Sequence, residues 1–196
     1  MPDSSDPYTY PGTDVLRNTL DIRDPSQLAA FEANATTARL IEVDAAPIEG
    51  RIDVAHLKAI HRYIFQDVYS WAGEFRTVNI SKGGHLFGVA AFVEPALHEV
   101  LRKLPGERLL IGSDPKTFAM RAGYYMGEMN AVHPFRDGNG RAQREFIREL
   151  AMQAGFVIDW SRVTRAQMMA ASLESFRTGD SSGMAELIEL SMKGIR

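Results

Sequence analysis

The segment His133-Pro134-Phe135-Arg136-Asp137-Gly138-Asn139-Gly140-Arg141-Ala142-Gln143-Arg144 places an imidazole, a carboxylate, a glycine-rich turn and paired guanidinium groups within twelve residues. An imidazole titrates near neutrality, so His133 can take the proton of an attacking hydroxyl as a general base. Asp137 offers a hard carboxylate oxygen, suited to a Mg²⁺ ion held mainly by nucleotide phosphates and water. Gly138-Asn139-Gly140 is a flexible loop directly ahead of a predicted helix. Its backbone N–H groups can converge on one point, and the helix N-terminus adds partial positive charge there. Arg141 and Arg144, spaced i and i+3 on the first turn, project on one face as two adjacent phosphoryl groups require, and Arg148 continues that face. Taken singly, each piece has an ordinary reading: a His-Pro turn, a Gly-Asn-Gly loop, arginines on a solvated helix face. Their succession within one short segment favours phosphate chemistry.

The elements that must position this segment are helices. Apolar periodicity predicts them over 25–46, from about 53 onward with Leu57, Ile60, Ile64 and Phe65 on one face, and over 92–104, 115–130, 141–154 and 165–176, with a last one near the C-terminus. Asp24-Pro25, Asp114-Pro115 and Thr164 read as helix starts, and Gly155 as a stop. The stretch 71–87 differs: Arg76 to Ile80 alternates polar and apolar side chains, Gly83-Gly84 is a turn signal, and Leu86-Phe87 follows. That pattern predicts a short β-hairpin, the only convincing one in the sequence. No repeat, low-complexity tract or long linker divides the chain, so residues 1–196 read as one mostly α-helical domain.

Bulk properties exclude several classes. With 22 basic and 25 acidic residues the net charge is −3, leaving no global basic field to hold DNA or RNA. No apolar run approaches the ~20 residues of a membrane span. The first residues lack the basic and apolar regions of a signal peptide. Cysteine is absent, which removes disulfides, thiolate metal sites and cysteine nucleophiles. The expectation is a cytoplasmic protein that touches neither membrane nor nucleic acid directly.

The segment from His133 to Arg144 resembles the Fic family motif, H-x-F-x-(D/E)-G-N-(G/K)-R-x-x-R, at every fixed position. Trp71-Ala-Gly73 with Thr77-Val-Asn-Ile-Ser-Lys-Gly-Gly84 is similar to the family's flap hairpin, about 74–88. Asp6-Pro-Tyr-Thr-Tyr-Pro-Gly12 and Val15-Leu-Arg-Asn18 resemble the start of short FicT-type bacterial toxins. The resemblance implies an all-α Fic fold, a helical bundle with a small β-hairpin flap and a catalytic loop at 133–141. The implied activity is adenylylation: transfer of AMP from ATP to a Tyr, Ser or Thr hydroxyl of a protein. Gly140 matters, because relatives with lysine there include the Doc kinase, which binds the nucleotide the other way round.

By the same resemblance His133 is the general base and Asp137 the Mg²⁺ ligand. Gly138, Asn139 and Gly140 form an anion hole around the α- and β-phosphates, Arg141 contacts the β-phosphate and Arg144 the γ-phosphate. Phe135 is a buried anchor for the loop. In the flap, Ile80, Ser81, Lys82, Gly83 and Gly84 present backbone to an extended target segment by β-augmentation. Lys82 and Gly83 also lie near the nucleotide, although Lys82 reads equally well as an exposed turn lysine. His56, His61, His85 and His98 receive no ligand role. The same scaffold could instead transfer UMP, phosphate or phosphocholine, or serve as a silent binding module.

Many Fic proteins carry an inhibitory helix, (S/T)-x-x-x-E-(G/N), whose glutamate pairs with the second motif arginine. Here Ser70-x-x-x-Glu74 is followed by Phe75 and Ser182-x-x-x-Glu186 by Leu187, so neither completes the motif. The inhibitory helix is therefore expected on a separate small antitoxin, and no internal group is expected to occupy the arginine pair. The resemblance to FicT-type toxins further implies the ATPase subunits of DNA gyrase and topoisomerase IV as targets.

Overall fold

A computed structural model describes residues 6–82 and 85–193. Among these, seven α-helices carry nearly all the regular structure. The helix α1, Pro25–Ala45, starts where the Asp24 carboxylate accepts from the Gln27 amide and Pro25 takes the first helical position. It buries only Leu28, Thr36 and Val43, so it lies along the surface as one wall of a cleft. Asp53 caps α2, Val54–Phe65, in the same way, and this helix buries Leu57, Ile60, His61, Ile64 and Phe65. The helix α3, Val93–Leu101, packs on α4, Pro115–Val132.

Helix α4 is the centre of the molecule. It is capped by Asp114 and contacts α3, α5 (Asn139–Gln153), α6 (Arg165–Thr178) and α7 (Ser182–Ser191). Its face toward α7 is cut down to glycine. A Cβ on Gly123 would lie 2.8 Å from the Ala185 backbone nitrogen, and one on Gly127 would lie 2.2 Å from the Ser181 hydroxyl. Phe118, Tyr125, Met126 and Met129 of α4 join Phe146, Ile147 and Leu150 of α5 and Met184 and Ile188 of α7 in one core. That core extends from Tyr10 near the N-terminus to Ile188.

The all-α architecture and the helix positions agree with the sequence, with ends shifted by one to three residues. Two differences concern strands. The flap ladder is only β1, Ser81–Lys82, paired antiparallel with β2, His85–Leu86, in the register Ser81↔Leu86 and Lys82↔His85. Residues 76–80 alternate in polarity yet form no strand, because the Arg76 amide donates to the Pro134 carbonyl at 2.9 Å instead of to a neighbouring strand. A second ladder, β3 (Val157–Ile158) with β4 (Met192–Lys193), had no local sequence signal. Gly83 and Gly84 lie outside the described residues. No helix among the described residues is long and apolar enough to cross a membrane.

Candidate active site

His133 ends α4 as its C-cap with φ 49°, a left-handed conformation rare outside glycine. Its amide donates to the Met129 carbonyl at 2.9 Å, and Nδ1 lies 3.3 Å from the Asn130 carbonyl oxygen. A carbonyl can only accept, so the proton sits on Nδ1 and the lone pair on Nε2, the state a general base needs. The ring stacks on Phe87, centroids 3.8 Å apart, which ties the imidazole to the segment just after the flap.

The chain then turns through a loop whose shape is fixed from inside. Phe135 is fully buried and stacks on His61 at 3.8 Å. Asn139 bonds the Phe135 backbone twice at 2.8 Å, accepting from its N–H through Oδ1 and donating to its carbonyl through Nδ2. The Asn139 side chain is thus spent on the loop, and its backbone amide is the group left for a ligand. Gly138 has φ +79°, and a Cβ there would sit 2.3 Å from the Phe65 ring, so no other residue fits. The amides of Asn139 and Gly140, first in α5, have no acceptor among the described residues. They open at the positive end of the helix.

A cleft of about 1680 Å³ lies over this turn, between α1, α5, α6 and the flap. His133, Asp137, Gly138, Asn139, Gly140, Arg141, Arg144, Ile80 and Ser81 all line it. It exceeds the ~300–1,000 Å³ of an ordinary small-molecule pocket, leaving space beside a nucleotide. Arg144 has no hydrogen bond or ion pair through its side chain among the described residues. Burial, then the neighbouring cations Arg141 and Arg165, hold its guanidinium below the usual arginine value. An anion is the group that relieves all three. The 3.1 Å bond from Trp160 to the Arg144 carbonyl fixes the backbone behind it.

Arg141 departs from expectation. It is already paired: Nη2 donates to Glu32 Oε1 of α1 at 2.6 Å, and Nη1 to the Thr36 hydroxyl at 3.2 Å. Arg148 lines the cleft as well but is already paired. Its guanidinium is held by Glu145 at 2.7 Å, the Val43 carbonyl and Asp44. Arg136, at a variable motif position, is bound by Asp6 at 2.8 Å and anchors the N-terminal segment to the loop.

A Mg²⁺ ion fits Asp137 on the chemistry of its donors. The carboxylate is half-exposed in the cleft, 3.8 Å from Arg141 Nη2, with one oxygen taken by the Gly138 amide. No group of three or more acidic or histidine side chains gathers among the described residues. Any ion at Asp137 must therefore bring phosphate and water ligands with it.

Two residues escaped the sequence reading. His61 accepts from the Gly73 amide at Nδ1 and donates from Nε2 to the Asp137 carbonyl, both at 2.9 Å. Burial pushes its pKa down to about 4, so it stays neutral as a brace beneath the loop. Arg76 is 2% exposed and gives its guanidinium to backbone carbonyls of Val78, Gly88, Val132 and His133. A signal existed for His61, a polar residue on the apolar face of α2. For Arg76 the sequence offers none.

A Fic/DOC family model matches residues 51–151, which contain the loop, all of α4 and all but the last two residues of α5. Protein adenylyltransferase VbhT of Bartonella schoenbuchensis is 45% identical over 94% of this chain, and the chain spans 38% of that protein's length. The Sinorhizobium fredii protein y4lH is 38% identical over 92% of each chain. Among solved structures, an N-terminal Fic domain from Bartonella quintana with bound ADP superposes with a TM-score of 0.91 at 27% identity. It covers 96% of this chain and 95% of that one. The BepC protein of Bartonella tribocorum with bound AMPPNP gives the same score and identity over 96% and 97%. The chain belongs to the Fic/DOC family.

Proposed function

We infer that the chain is a protein adenylyltransferase, moving AMP from ATP onto a hydroxyl side chain of a target protein. One observation carries this: His133 with its lone pair on Nε2, the open first-turn amides of α5 and the anion-seeking Arg144 all line one cleft. The target hydroxyl attacks the α-phosphorus, its proton passes to Nε2, and pyrophosphate leaves with the electrons of the broken P–O bond. The amides of Asn139 and Gly140 receive the developing charge, while Arg141 and Arg144 hold the terminal phosphates. Mg²⁺ held by Asp137 supplies charge neutralisation on those phosphates. Ile80 and Ser81, with the Lys82 backbone and Gly83 and Gly84, align the target as an added strand. Incubation with ATP and a lysate, followed by mass analysis of the labelled band, must show the mass of one AMP; a different added group would overturn the reading.

The finer reading is the toxin of a toxin–antitoxin pair acting in the bacterial cytoplasm on the ATPase subunits of DNA gyrase and topoisomerase IV. Its support is Arg144, whose side chain has no partner among the described residues and which an antitoxin glutamate could bind bidentately. Neither internal candidate is placed to do so. Glu186 is exposed on α7, none of whose residues lines the cleft, and Glu74 pairs with Lys58 at 3.3 Å. Leu40 and Ile41 of α1 and Met169 and Leu173 of α6 all line the cleft, apolar surface suited to an amphipathic helix. Growth arrest that requires His133 and is relieved by a small helical neighbour bearing (S/T)-x-x-x-E-(G/N) would support this. Purified gyrase and topoisomerase IV that stay unmodified while other proteins are labelled would remove the target assignment.

A further inference from the structure

Helix α1 lies outside the motif and outside the residues the family model matches, yet it supplies the carboxylate beside the phosphate-facing arginine. Both oxygens of Glu32 have fixed partners. Oε1 takes Arg141 Nη2 at 2.6 Å, and Oε2 accepts from the Tyr69 hydroxyl. Tyr69 is buried and stacks on Trp71 with centroids 4.3 Å apart, so it cannot swing away. One turn along α1, the Thr36 hydroxyl takes Arg141 Nη1 at 3.2 Å and donates to the Glu32 carbonyl at 2.8 Å. The Phe65 ring lies under the same guanidinium, its centroid 4.5 Å from Cζ. Arg141 is thus held by a carboxylate, a hydroxyl and an aromatic face.

We propose that Glu32, backed by Tyr69, is a positioning residue that orients Arg141 toward the nucleotide's β-phosphate. The inference rests on the adenylyltransferase reading above. A guanidinium carries five N–H donors in a rigid plane. Two are spent on Glu32 and Thr36, which fixes the direction of the other three. A flexible arginine would lose rotamer freedom on binding, whereas this one has lost it already. The alternative role, a carboxylate that competes with phosphate for Arg141, predicts the opposite sign. A competitor would need to leave, and Glu32 is fastened at both oxygens.

The test compares nucleotides with and without a β-phosphate, ADP against AMP, titrated onto the whole chain by calorimetry. Wild-type must prefer ADP. Glu32→Ala is expected to weaken ADP about tenfold, the scale of one misaligned charge-assisted hydrogen bond, and to leave AMP unchanged. Tyr69→Phe should shift the ADP-to-AMP ratio in the same direction by a smaller factor, and Glu32→Gln, which keeps an acceptor for Arg141, should recover most of it. A partly unfolded variant would weaken both nucleotides alike and leave the ratio in place. An unchanged ratio in Glu32→Ala overturns the proposal, and so does tighter ADP binding, which would make Glu32 a competitor. If wild-type bound neither nucleotide, the adenylyltransferase reading would fall first and this inference with it.

Discussion

The Arg76 guanidinium donates through Nε to the His133 carbonyl oxygen at 2.7 Å, while Nη1 reaches the Val78 carbonyl at 2.8 Å and Nη2 those of Gly88 and Val132. One buried side chain therefore joins both edges of the flap to His133, the proposed general base. Lysine would keep the charge but not the planar fork. Arg76→Lys is expected to cut the transfer rate by about ten- to a hundredfold, since small misplacement of a reacting group is costly. ADP affinity should stay unchanged, because Arg76 does not line the cleft. Steady-state kinetics beside calorimetric titration would check the split; equal loss of rate and of ADP affinity would argue against it.

His133→Ala should reduce transfer by at least about 10²-fold, the usual contribution of a positioned base, with the anion site still binding ADP. Labelling close to wild-type in that variant would remove the base assignment.

Gly138→Ala tests the loop's geometry. The added Cβ meets the Phe65 ring at 2.3 Å in a backbone with φ +79°. The expected destabilisation is about 2–4 kcal/mol from strain and overpacking combined. Urea unfolding would measure it, and a wild-type midpoint would contradict the packing described.

His61 should make stability depend on pH. Its pKa is about 4 when folded and near 6.5 when free, so between those values the unfolded chain binds the extra proton. Its neutral, buried state contributes fully above pH 6.5, and that contribution is lost as pH falls toward 4, by up to about 3 kcal/mol. In His61→Gln the stability gap to wild-type should narrow over that window. A gap that stays constant between pH 7 and pH 4.5 would place the proton elsewhere.

The motif was legible because each of its residue types answers a local demand: a base, an anion nest at a helix start, cations on the first turn. Helices were legible through Asp24, Asp53, Asp114 and Thr164, whose caps act within three residues of themselves. What stayed hidden depends on distant partners. Glu32 meets Arg141 across 109 positions, and Arg76 meets His133 across 57. Neither leaves a periodic trace. The role of the Asn139 side chain was hidden for a related reason: it serves Phe135, four residues back, inside a turn whose direction only the packed core sets.

The glycine face of α4 carries a consequence for inactivating lesions. Gly123 and Gly127 let α7 lie against the helix that ends in His133, and α7 holds Met184 and Ile188 in the shared core. A stop codon just ahead of Ser182 would leave every motif residue encoded and still strip the helix that ends in His133 of its backing. In a collection of loss-of-function alleles, then, helix α7 should be hit as readily as the loop itself, and an intact motif in a sequenced allele would be no proof of a working enzyme.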